Sequence, residues 1–99
     1  VETDALGRDI ATAIVEYERL IGGHASYTRR MLDQLGPVAA LSRLIADSRI
    51  QKGLRTLAKA GKTDISFEAI VVRHYQWFPK AIVEAATWRL DRARNGDFD

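Results

Sequence analysis

The sequence has no cysteine, two histidines and only two prolines among its 99 residues. Without a thiol there is no disulfide framework, no thiolate zinc site and no cysteine nucleophile. His24 and His74 stand 50 residues apart, and neither has a carboxylate beside it at metal-ligand spacing. No metal site is expected, and both histidines read as helix-end or solvent-facing side chains. Apolar runs are equally scarce. The strongest, Ala69-Ile70-Val71-Val72, is four residues long, against the ~20 that a bilayer crossing needs. No basic stretch followed by an apolar one opens the chain, so no secretory leader and no membrane association are expected, and the chain reads as cytoplasmic. Period-two alternation is missing at any useful length, which argues against strands. There is no Gly-x-Ser-x-Gly elbow, no phosphate-cradling Gly-rich loop and no zincin motif. Neither an enzyme nor a cofactor is expected.

What the sequence does have is helical periodicity. A chain of this length buries roughly 60–70% of the surface its unfolded form exposes, enough for one core and too little for two. Residues 1–99 therefore read as one all-α domain of five to six short helices, with 97–99 frayed. Leu6, Ile10, Ala13, Ile14, Tyr17, Leu20 and Ile21 fall within about 120° of one another on a helix running about 4–21. Thr3 is its expected N-cap and Gly22-Gly23 its stop. Ser26 is expected to cap a second helix with Tyr27, Met31, Leu32 and Leu35 on its apolar face, ending at Gly36. Pro37 starts a third, with Val38, Leu41, Leu44 and Ile45. A fourth spans 49–62, or starts near Gly53, and carries Ile50, Leu54 and Leu57 on one side. Asp64 or Ser66 caps a fifth, Phe67 to His74, almost all apolar and expected at the centre of the domain. Pro79 opens the last, which runs to Arg94 and stops at Asn95-Gly96.

The stretch from Gly53 to Val72 is similar to a pattern that recurs in uncharacterised small helical domains of bacterial proteins. Gly53, Leu57, Gly61, Asp64, Glu68, Ala69 and Val71 carry the likeness. With the Ala- and Arg-rich usage it implies a bacterial or phage system, and it brings no activity with it. The same residues have a local explanation. Gly61 suits a positive φ, and Asp64, Ser66 and Glu68 suit the free N–H groups and positive end of a helix start.

Charge is unevenly distributed. Residues 1–48 carry five Lys/Arg against seven Asp/Glu, residues 49–80 seven against two, and residues 81–99 three against four. In the basic centre, Lys52, Arg55, Lys59 and Lys62 cluster opposite the apolar stripe, with Arg49 nearby. That stripe is a candidate nucleic-acid surface through phosphate attraction. A helix-turn-helix over 37–47 and 50–60 is a poorer fit, because its small residue and turn glycine fall out of register. Glu16 and Glu18 point to different faces of their helix and read as solvated. The competing surface is aromatic. On the last helix Ile82, Val83, Ala86, Leu90 and Ala93 form the core stripe, and Trp88 lies on another face beside Ala81 and Ala85. With Trp77 and Phe78 just before that helix, Trp88 is a candidate apolar partner-binding patch; alternatively, Trp77 and Phe78 close the core. The leading expectation is a non-enzymatic helical interaction module, binding a protein partner or self-associating. The alternative is a nucleic-acid-binding module using 49–62.

Overall fold

A computed structural model describes residues 3–47 and 52–96. Arg49, Ile50 and the tail expected to fray, 97–99, lie outside the described residues, as do the side chains of Thr3 and Lys52 and hence the expected Thr3 cap. Among the described residues the chain is all-α. Its helices are α1 (Thr3–Ile21), α2 (Ser26–Leu35), α3 (Pro37–Ala46), α4 (Lys52–Lys59), α5 (Phe67–Arg73) and α6 (Lys80–Arg94), with short 3-10 turns at Thr63–Ile65 and Tyr75–Trp77. No helix is long and apolar enough to cross a membrane, among the described residues.

Helix ends follow from local chemistry. At Gly22, φ is +65°, and the Gly23 N–H donates back to the Glu18 carbonyl at 3.2 Å. At Gly61, φ is +71°, and the Lys62 N–H donates to the Leu57 carbonyl at 2.8 Å. This return satisfies the last carbonyls and requires a left-handed residue, which glycine adopts without a Cβ penalty. Ser66 caps α5: its hydroxyl accepts from the Ala69 N–H at 3.1 Å and donates to the Thr63 carbonyl at 2.7 Å. Pro37 is the first residue of α3, where its missing N–H is not needed.

Three expected boundaries move. Ser26 is the first helical residue of α2 and not its cap. Ala25 holds the cap position without a side-chain bond, and its N–H donates to the Glu18 carboxylate of α1 at 2.8 Å. Pro79 precedes α6, its carbonyl accepting from Ile82 at 3.0 Å and Val83 at 3.1 Å. Helix α4 closes at Lys59 and not at 62, because the Gly61 turn draws Lys62 out of the helix.

The core surrounds α5, which packs most extensively on α6 and also against α1 and α3. Ile70 and Val71 are fully buried among Leu6, Ile10 and Ile14 of α1, Leu41 and Ile45 of α3, and Ala86 of α6. The apolar stripes outrun this core at their ends: Ile21 is 42% exposed and Tyr27 55%. Helix α1 has 19 residues and α5 only seven, so at ~1.5 Å per residue the far end of α1 projects well past its central neighbour.

Glu16 and Glu18 are not the solvated pair expected. Glu16 pairs with Arg19 and with Lys62 Nζ at 3.2 Å. Glu18 takes two bonds from Arg29, at 2.8 and 2.5 Å, besides the Ala25 N–H. Each carboxyl is held down to about 2, chiefly by its arginine partner. His74, expected at a helix end, holds the C-cap position of α5 and meets Asp9 of α1 at 2.8 Å, a bond that lowers the Asp9 pKa. These contacts fasten α1 to the start of α2, to the turn after α4 and to the end of α5.

Candidate functional site

The three aromatic residues of the candidate patch separate by environment. Phe78 is 7% exposed and belongs to the central core, and Trp77 packs against the same cluster while partly buried. They close the core and do not share an exposed patch with Trp88. The reason is tertiary: the 3-10 turn at 75–77 folds the chain back between α5 and α6 and turns its aromatic end inward. Trp88 alone of the three is open, 58% exposed on the outer face of α6. It lies on the opposite side of that helix from the buried Ala86 and Leu90. The Arg92 guanidinium sits over its ring, 4.6 Å from the centroid, one turn on. Such a contact steadies an exposed indole by about 0.5–1 kcal/mol.

Of the basic face, the described side chains are those of Arg55, Lys59 and Lys62. Arg49 and the Lys52 side chain fall outside the described residues. Arg55 and Lys59 are exposed on α4, whereas Lys62 is drawn to Glu16 of α1. A carboxylate from a helix distant in sequence, shared with Arg19, thus pairs with one end of the stripe.

A third locus was not singled out from the sequence. Among the described residues a partly open pocket of about 140 Å³ lies where α1 to α5 meet, lined by Tyr17, Thr28, Leu44, Leu54, Phe67 and Glu68 among others. Glu68 occupies the first turn of α5, where an acidic residue was expected, but its role is not confined to helix capping: it is 5% exposed. Burial pushes its carboxyl above the usual range, opposed by its own backbone N–H and by the charge of Arg89. Arg89 of α6 is 9% exposed. Its Nη1 lies 3.8 Å from Glu68 Oε2, too far for a hydrogen bond, and has no hydrogen-bond partner among the described residues. Its Nη2 donates weakly to the Asp47 carbonyl at 3.4 Å.

A sequence signal for this pair existed. Glu68 stands three and four positions before Val71 and Val72, and Arg89 stands three after Ala86 and four before Ala93. Each charge therefore shares the apolar stripe of its helix. Among the described residues no group of His, Asp and Glu is arranged to hold a metal ion. Comparison with protein families, with characterised proteins and with solved structures finds no match to this chain.

Proposed function

We propose that the chain is a non-enzymatic helical interaction module: an adaptor, small regulator or self-associating subunit that engages a protein partner through the outer face of α6. One observation carries the reading, namely the Trp88 ring, 58% exposed beneath the Arg92 guanidinium. Tryptophan and arginine are enriched among the residues that dominate binding energy at protein interfaces. A ring already steadied on a regular helix also loses little further freedom when a partner covers it.

Sedimentation across a concentration series, together with capture from the native host by wild-type and Trp88→Ala baits, tests this. Truncating an interface tryptophan costs about 2 kcal/mol or more, which is roughly a 30-fold loss of affinity. The monomer's helicity and thermal midpoint should stay nearly unchanged, with Leu90→Ala as the control that damages folding. Association indifferent to Trp88→Ala overturns the reading. Nucleic-acid binding abolished by reversing Arg55 and Lys59 to Glu, with Trp88 intact, would favour the alternative module. The engagement of Lys62 by Glu16 makes that alternative the weaker one.

A further inference from the structure

The outer face of α6 carries a charge pattern as well as an exposed ring. Glu84, Trp88 and Arg92 stand at successive four-residue intervals and so form one row along the helix surface. Among the described residues Glu84 is exposed and, unlike Glu16, Glu18 and Glu68, has no cation paired with it. From its N-terminal end the row runs acid, ring, guanidinium, and from its C-terminal end guanidinium, ring, acid. Ala81 and Ala85 stand beside it, and side chains so small let a second helix approach closely.

Such a row is complementary to itself in one orientation only. Turned end over end about a two-fold axis at Trp88, it sets Glu84 against Arg92 of the second copy and Arg92 against Glu84 of the second copy, with the two rings side by side between them. This is the condition for a closed, isologous contact, in which the pairing at one end is repeated at the other. In the parallel orientation like charges would meet at both ends, which is unfavourable. Rows of four-residue spacing are also the ridges that interlock in the commonest class of helix packing.

We propose that the outer face of α6 docks antiparallel on the same face of a second copy of this chain, through the row Glu84, Trp88 and Arg92. The proposal rests on the reading of Trp88 as an interface residue and adds to it the partner and the orientation. Helix α6 has 15 residues and is therefore about 22 Å long. One such face against another falls in the range of small interfaces, below about 1,200 Å² in total, so a weak and reversible dimer is expected.

Sedimentation equilibrium of the chain from about 10 μM to about 1 mM tests this, a range that spans weak association. Wild type should pass from monomer to dimer across it. Glu84→Arg makes both end contacts repulsive and should weaken the dimer about fivefold or more, and Arg92→Glu should do the same. Mixed in equal amounts, the two single variants should associate again, because every charged end then meets its opposite. Wild type that stays monomeric at about 1 mM overturns the proposal, as does a dimer unmoved by Glu84→Arg or a mixture no more associated than its parts. Wild type and Glu84→Arg decide the matter even if Arg92→Glu does not fold, since Glu84 is exposed. Monomeric wild type whose Trp88→Ala bait loses a different protein overturns the second copy as partner and leaves the Trp88 surface standing. A dimer that Trp88→Ala leaves intact overturns both.

Discussion

Glu68 and Trp88 stand on the two helices that pack most closely together, α5 and α6, and each occupies the side that the hydrophobic effect alone would deny it. Trp88 leaves roughly 100 Å² of apolar surface in water, forgoing about 2–3 kcal/mol. Glu68 takes a carboxyl out of water beside an arginine that does not quite reach it. Elsewhere the rule is obeyed: Ile70 and Val71, also on α5, are fully buried, and Asp64, just before it, is exposed and paired with Arg94 at 3.0 Å. Two inversions on adjoining helices mark where the chain departs from what its own stability would select. Those are the places to look for contacts with something else.

The comparison breaks most severely at Arg89. Removing it as Arg89→Ala leaves Glu68 buried without a counter-charge, and such half-pairs are destabilised by about 3–5 kcal/mol. The double variant Glu68→Leu/Arg89→Met should recover most of that loss, or exceed wild type, in urea unfolding. A double variant as unstable as the single one would mean that the pair contributes more than compensated charge. Next in size is Ser66→Ala, which deletes the hydroxyl accepting from the Ala69 N–H and should cost about 1 kcal/mol without touching either inversion. Trp88→Ala should move the folding free energy by no more than about 1 kcal/mol, the worth of an exposed cation–ring contact, so its effect belongs to association.

The smallest expected effect is in the pH profile, and the carboxylates pull in opposite directions. Glu16, Glu18 and Asp9 have lowered pKa values in the folded chain. Their stabilisation is present above the ordinary carboxylate range and is lost as pH falls, through about 2 for Glu16 and Glu18. Glu68 is raised, so its contribution is complete below the ordinary range and is lost as pH rises through its folded pKa. Thermal midpoints of wild type and Glu68→Gln, measured in parallel, should therefore diverge in favour of wild type as pH is lowered through that value. Parallel curves would show that Glu68 is not buried as its surroundings require.

The sequence alone determined that the chain is all-α, where its glycines stop helices, that the segment after Ser66 lies at the centre, and that Trp88 leaves the core stripe of its helix. Each of these is a property of neighbours within a turn or two, and a period of 3.6 residues is enough to specify them. Tertiary structure decided the rest. Phe78 and Trp77 pack on the central core where a 3-10 turn joins α5 to α6, and Glu16 and Glu18 become fastenings because Lys62 and Arg29 arrive from other elements. The pocket lies where side chains from α1 to α5, distant in sequence, come together. Glu68 and Arg89 each carried a local sign in sharing an apolar stripe, yet their pairing depends on how α5 and α6 cross. Periodicity orients a side chain about its own helix axis, and only packing between helices determines what it faces.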